Sequence, residues 1–212
     1  MHLPEYACAK VSAFEVDGDL NKPVWKAAPV VRLKDTTGRP RRIFPTTLRV
    51  CYSETHLYLG YRCTDSQIEC TYTKRDDPLY EEEVVEAFLS PTADLHHYFE
   101  FEFNAKNTVF DAMVFSPHLG RKEMEVDTAW DSLGLQSAVR LSQNRAGVSV
   151  WSVEVGLPFA DMKIPTPQKG TRWRANFYRI DRAHEGEFSA WSPTLTIPAD
   201  FHVPERFGWL VF

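Results

Sequence analysis

Acidic side chains recur at regular spacing in one strand-like segment of the sequence. In "HYFEFEFN" (97–104), Glu100 and Glu102 alternate with three phenylalanines, which places both carboxylates on one face of a strand and the rings on the other. Their backbone positions are then about 6–7 Å apart. Paired carboxylates hydrolyse glycosidic bonds in many enzymes. Glutamates also commonly occupy the solvent face of a strand, so this spacing permits catalysis but is not specific for it.

A second group of acidic residues surrounds residues 76–86. Glu86 lies within an otherwise apolar segment, where a carboxylate is either paired at a pocket or turned to solvent. The run 81–83 is interpreted as a solvated acidic turn. Calcium binds six to eight oxygen ligands, and Asp65, Asp76 and Asp77 with nearby loop carbonyls are candidate ligands. The sequence contains no GxSxG, Walker A, HExxH or GxGxxG motif, so the usual nucleophile and phosphate chemistries have no support.

Composition and charge narrow the class of protein. The 212 residues are 43% hydrophobic, 25% charged and 13% aromatic, as in a globular chain rich in strands. The net charge of −5 argues against nucleic acid as a partner. No apolar run approaches the roughly 20 residues that span a bilayer, so no membrane partner is predicted. The first residues lack a basic start followed by an apolar core, which predicts a cytoplasmic protein, or a secreted one if the chain is trimmed.

The elements that position these residues are predicted to be strands. Alternating or apolar segments separated by short polar turns predict about nine strands and no long helix. They span 46–52, 56–63, 83–90, 97–104, 108–115, 135–142, 147–159, 172–181 and 207–212. We find no interdomain linker. This pattern predicts one all-β domain covering residues 1–212, built as an antiparallel β-sandwich of the immunoglobulin or jelly-roll type.

Four segments in this order resemble the family 9 carbohydrate-binding modules. They are "FEVDGDLNKPVW" (14–25), "LYLGYRCTD" (57–65), "DDPLYEEEVVEAFL" (76–89) and "ADFHVPERFGWLVF" (199–212). The resemblance covers residues 14–212 and implies a β-sandwich that binds sugar. In the family's sugar-binding members, two aromatic side chains enclose a terminal sugar and polar groups surround it. Some members also carry structural calcium.

The resemblance assigns roles to individual residues. Tyr80 and Phe201 match the two enclosing aromatic residues, which are commonly tryptophan in the family. Glu86 matches an acidic ligand contact and Tyr178 a polar one. Glu102 stands where sugar-binding members have a basic residue. From the residues themselves, Arg174 shares a strand face with Tyr178 and is a further candidate contact, because guanidinium groups hydrogen-bond sugar hydroxyls.

The resulting expectation is non-catalytic binding of a mono- or oligosaccharide, or of a polysaccharide chain end, in carbohydrate catabolism alongside other glycan-degrading proteins. No cofactor is assigned, apart from a candidate structural calcium. Two alternatives stay open. One is a glycoside hydrolase using carboxylates such as Glu86 and Glu102. The other is a haem-binding electron-transfer domain of the same sandwich type, in which Met113 or Met124 would bind haem together with a histidine or a lysine.

Overall fold

The computed structural model describes residues 2–39, 44–183 and 186–212. The described part contains fifteen strands, three short 3₁₀ helices and no α-helix. The strands are β1 (Glu5–Ala7), β2 (Ala9–Lys10), β3 (Val31–Arg32), β4 (Lys34–Asp35), β5 (Thr46–Tyr52), β6 (His56–Asp65), β7 (Val84–Ser90), β8 (His97–Phe103), β9 (Val109–Phe115), β10 (Glu125–Asp127), β11 (Gln136–Gln143), β12 (Ser149–Pro158), β13 (Arg172–Asp181), β14 (Glu187–Ala190) and β15 (Gly208–Val211). The 3₁₀ helices span Pro23–Ala27, Leu79–Glu81 and Pro204–Arg206. Within these ranges, no helix is long and apolar enough to cross a bilayer.

The strands form two sheets. In the first, the order is β1-β15-β13-β7-β8-β9-β10, and β14 and β4 extend from β13. In the second, the order is β11-β12-β6-β5-β2, with β3 also paired to β5. Most pairs are antiparallel, but β1 runs parallel to β15 and β2 parallel to β5. The predicted β-sandwich is therefore confirmed, with mixed rather than purely antiparallel sheets.

All nine predicted strands are present, with ends within two residues of those expected. The six strands that were not predicted are two to four residues long. Such short strands carry too few residues to show a periodic pattern, and partners distant in sequence hold them in place.

Alternation along β8 divides its side chains between two environments. Phe101 and Phe103 are fully buried in the large core between the sheets, together with Trp151 and Phe177 from facing strands. Glu100, next to Phe101 in sequence, points to the outer face of the first sheet. That face is not open to solvent, because a second apolar cluster built partly from loop residues covers it. The carboxylates predicted to share a face are thus buried.

An acidic and basic cluster joins the two sheets. Arg179 on β13 is 2% exposed, and its Nη2 donates to Asp65 at 2.7 Å and to Asp181 at 2.8 Å. Its Nη1 donates to the carbonyl of Thr64 at 2.6 Å. Because Asp65 and Thr64 belong to the second sheet, a single guanidinium group links both layers. Glu83, fully buried, lies with its carboxyl beside those of Asp65 and Asp181.

The interpretation of residues 81–83 as a solvated turn is wrong for Glu83. Burial, followed by hydrogen bonding to Asp65, raises the pKa of Glu83 to about 9. Folded Glu83 therefore keeps a proton that the unfolded chain releases near its ordinary pKa of 4.5. Its contribution to stability is fully present below pH 4.5 and is lost as the pH rises to about 9.

We expect Glu83→Gln to reduce the loss of stability between pH 5 and pH 8. An amide cannot ionise, so the variant does not need to retain a proton on folding. Urea unfolding at both pH values measures this difference. Glu81→Gln, on an exposed neighbour, is the matched control and should leave the pH dependence as in the wild type. An unchanged difference in Glu83→Gln would contradict the protonated state assigned to Glu83.

Candidate functional site

A cavity of about 520 Å³ lies on the outer face of the first sheet. Strands supply its floor, and the 3₁₀ helix Leu79–Glu81 and two loops supply its walls. Its lining includes both predicted aromatic residues and the predicted acidic residue, together with side chains that sequence reasoning did not assign to binding. Among the lining residues are Tyr80, Glu86, Glu100, Arg121, Arg182 and Phe201.

Tyr80 is the most accessible aromatic group of the cavity. It lies on the 3₁₀ helix Leu79–Glu81, where buried Leu79 anchors the turn in the outer apolar cluster. Its side chain is 47% exposed, and its ring packs edge-on against Phe110 at 6.0 Å. The guanidinium of Arg182 donates to the backbone carbonyl of Tyr80 at 2.8 Å and holds the turn against β13. The ring is therefore positioned but not covered, as a stacking surface must be.

Phe201 lies in the loop before β15 and is supported from behind. Its ring stacks on that of Tyr178 with 4.2 Å between centroids and a 10° angle. The Tyr178 hydroxyl donates to the carbonyl of Phe201 at 2.9 Å. Tyr178 is fully buried and does not line the cavity. The predicted polar contact is thus placed where it positions Phe201 instead of touching a ligand.

Three glutamates converge at the floor of the cavity. Strand register sets Glu86 directly opposite Glu102. Glu100 lies two residues before Glu102 on β8, so the two side chains share a face. Oxygen atoms of the three carboxyl groups lie within 4.8 Å of one another. All three side chains are at most 5% exposed. Glu86 and Glu100 line the cavity, whereas Glu102 lies beneath them.

The crowding of these groups changes their protonation. Burial, followed by repulsion from Glu100, raises the pKa of Glu86 well above its ordinary range. Burial and both neighbouring carboxylates do the same for Glu102. Burial raises the pKa of Glu100 to about 7. The floor thus offers both hydrogen-bond donors and acceptors near neutral pH. Among the described residues, Glu86 Oε1 is buried without a hydrogen-bond partner.

Basic residues of the cavity wall were missed from the sequence. Arg121 is exposed in the loop between β9 and β10, and its Nε donates to Asp200 at 2.9 Å. Arg182 directly follows β13. His202 is buried, with Nδ1 2.7 Å from the hydroxyl of Tyr98, and burial lowers its pKa to about 3. The sequence could not indicate these basic residues, because loops carry no periodic pattern. Alternation along a strand indicated only that Glu100 shares a face with Glu102.

Arg174 does not line the cavity. Its guanidinium donates to the backbone carbonyls of Phe207 at 2.9 Å and Glu205 at 3.0 Å, and it also stacks on Trp209. These bonds secure the loop before β15 to β13. In the structure, Arg174 therefore holds the loop that follows Phe201.

The three aspartates proposed for calcium lie apart. Asp65 belongs to the Arg179 cluster, whereas Asp76 groups with Asp111 and Asp131. Asp77 accepts the backbone N–H groups of residues 73 and 74 within a turn. Arg75 pairs with Asp111 and Asp131, each at 2.6 Å. Each of these two carboxylate clusters already contains an arginine, which competes with a calcium ion for the carboxylate oxygens.

The alternatives for haem and for hydrolysis stay open. Met113 lines one cavity with His97 and Lys163, and Met124 lines the other with His202. A glycosidase needs one protonated and one ionised carboxyl group next to its substrate. Glu102 does not line the cavity, whereas Glu86 and Glu100 do. A turnover assay therefore has to separate hydrolysis from binding.

An aromatic and carboxylate-lined cavity on the outer face of a β-sandwich defines a binding module of the carbohydrate-binding type. The comparisons with known proteins agree. Residues 19–212 match the model of Carbohydrate-binding family 9. The chain is 32% identical over 192 residues to a protein of Arthroderma benhamiae named "Extracellular protein", covering 84% of this chain and 83% of that one. The protein belongs to carbohydrate-binding family 9.

Solved structures share the fold at low sequence identity. A proposed carbohydrate-binding protein from Bacteroides uniformis superposes with a TM-score of 0.79 at 18% identity, covering 98% of both chains. A family 9 module from Caldicellulosiruptor kristjanssonii, solved in complex with cellotriose, gives a TM-score of 0.68 at 12% identity, covering 98% of this chain and 93% of that one. These likenesses confirm the β-sandwich fold.

Proposed function

We propose that this protein binds a neutral mono- or oligosaccharide, or a chain end, without catalysis, in the cavity between Tyr80 and Phe201. The observation that carries the proposal is the exposed Tyr80 ring on the same cavity as the buried carboxyl groups of Glu86 and Glu100. The C–H face of a sugar stacks on an aromatic ring, and its hydroxyls need directional partners. The bound cellotriose of the C. kristjanssonii module is consistent with this ligand class.

The proposed site offers the sugar hydroxyls both a hydrogen-bond acceptor and hydrogen-bond donors. Glu86 Oε1, buried without a partner in the described structure, would accept a hydroxyl proton. Arg121 and Arg182 at the wall would donate to hydroxyl oxygens. A ligand that satisfies a buried carboxyl oxygen gains more than one that meets only exposed groups, because unpaired buried acceptors are costly.

Titration calorimetry with glucose, xylose, galactose, cellobiose and xylobiose tests this proposal. We expect at least one sugar to bind with a Kd of about 1 mM or tighter, corresponding to about −4 kcal/mol. Titrations with calcium and with a chelator show whether sugar binding depends on the metal. Chromogenic glycosides should not be turned over. Absence of heat with every sugar would contradict the proposal, and turnover would favour the hydrolase.

The proposal extends to the cellular setting of the protein. Within carbohydrate catabolism, such a module would act beside other glycan-degrading proteins, delivering or retaining their soluble products. The name of the A. benhamiae relative, "Extracellular protein", supports the secreted alternative over the cytoplasmic one for this chain. Fractionation of the native host into cells and medium, followed by immunodetection, distinguishes the two.

A further inference from the structure

The outer face of the second sheet, opposite the sugar cavity, carries a row of arginines. Strand register sets Arg32 opposite Thr47, Thr47 opposite Arg62, and Arg62 opposite Ser152. Ser152 in turn lies opposite Arg140 on the edge strand β11. Directly opposed residues share a sheet face, so the three arginines project from the same side. Neighbouring strands are about 4.8 Å apart, so successive arginines are spaced about 10 Å along the row.

Arg49 adds a fourth positive charge to this face. It lies opposite Gly60, two residues before Arg62 on β6, which makes Arg49 and Arg62 diagonal neighbours. Their Cβ atoms are therefore about 7–8 Å apart, within reach of two converging guanidinium groups. Gly60 contributes no side chain between them, and Leu20 and Trp25 occupy the adjoining space.

These guanidinium groups differ in how they are satisfied. Arg140 pairs with Asp17 at 2.9 Å and with Asp19 at 3.3 Å. Within residues 2–39, 44–183 and 186–212, the guanidinium groups of Arg32, Arg49 and Arg62 have neither a hydrogen bond nor an ion pair. The chain has 29 acidic residues against 24 basic ones. Unpaired arginines clustered on one face of an acidic protein indicate a ligand that supplies the negative charge.

A cavity of about 480 Å³ lies among these arginines. Its lining includes Arg49, Arg62 and Arg140, with the hydroxyls of Ser142 and Ser152. Asp19 and Asn21 also line it, and their side-chain oxygens can accept hydrogen bonds from a ligand's hydroxyl groups. Leu141, 63% exposed, adds an apolar surface at the same place.

We propose that this cavity is a second ligand site, for an oligosaccharide that carries carboxylate or sulfate groups. Guanidinium groups bind planar or tetrahedral oxyanions through paired hydrogen bonds. Hydroxyl partners and an exposed apolar side chain suit the remaining surface of a sugar ring. Nucleic acid fits less well, because the net charge of −5 repels a long phosphate backbone more than a short acidic oligosaccharide. The site and the Tyr80 cavity lie on opposite faces of the sandwich and bind independently.

Titration at low ionic strength with tetragalacturonate, a sulfated galactan tetrasaccharide and cellotetraose tests the proposal. At least one acidic ligand should bind, and raising the salt concentration should weaken that binding. The double variant Arg49→Gln/Arg62→Gln should lose at least tenfold in affinity for it. The carboxylated and sulfated ligands distinguish the two sources of negative charge. Binding of cellotetraose should be unchanged in this variant.

Two controls separate this site from non-specific charge and from the first cavity. Arg145→Gln removes one positive charge from an exposed turn outside the cavity and should leave acidic-sugar binding intact. Tyr80→Ala should also leave it intact. The proposal is overturned if neither acidic ligand binds, if Arg145→Gln weakens binding as much as the double variant, or if Tyr80→Ala abolishes it.

Discussion

Replacing Arg179 by methionine is expected to lower the free energy of unfolding by about 3–5 kcal/mol. The guanidinium is 2% exposed, and Asp65 and Asp181 beside it are at most 2% exposed. Methionine preserves the length and apolar stem of the side chain but leaves two buried carboxyl groups without their counter-charge. Removing one member of a buried ion pair costs more stability than the intact pair contributes, because the remaining charge stays buried without an opposite charge.

Arg172→Met is the matched control for this prediction. Arg172 lies on the same strand and pairs with Glu5, but both side chains are close to half exposed. Solvent screens such a pair, so its loss should cost less than about 1 kcal/mol. Urea unfolding of the wild type and both variants measures the two values. Equal losses would show that the buried cluster does not link the two sheets energetically.

The second large effect is expected at the sugar cavity, where Tyr80→Ala should weaken binding at least tenfold. That factor corresponds to about 1.4 kcal/mol of binding free energy. The variant removes the most accessible ring of the cavity and leaves the carboxyl groups of the floor in place. Because Tyr80 is 47% exposed and packs only by its edge on Phe110, the melting temperature should hardly change.

Phe115→Ala controls for the loss of any exposed aromatic ring. Phe115 is 36% exposed, lines a different cavity and stacks on His97. Calorimetry with the best sugar of the panel and a thermal melt should be run on both variants. Unchanged affinity in Tyr80→Ala would remove Tyr80 from the proposed site while leaving the cavity itself. Equal weakening by Phe115→Ala would point to a general change in the fold.

The candidate site was predicted from the family resemblance and not from the strand pattern. The resemblance to family 9 led to Tyr80, Glu86 and Phe201, and the structure places all three on one cavity. Tyr178 and Arg174 do not line that cavity. A strand pattern tells which face a side chain occupies, but not whether another residue, here Phe201, covers it. Arg121 and His202 come from loops whose paths only the folded chain defines.

Sequence periodicity alone determined nine of the strands and the division of β8 into apolar and acidic faces, because side chains alternate every residue along a strand. It did not determine that the acidic face is buried. Loops distant in sequence cover it, and that burial gathers Glu86, Glu100 and Glu102 and raises their pKa values. Periodicity also did not determine that Glu83 is buried. Strand register assembles the arginine row on the opposite sheet, and register is a property of the tertiary structure.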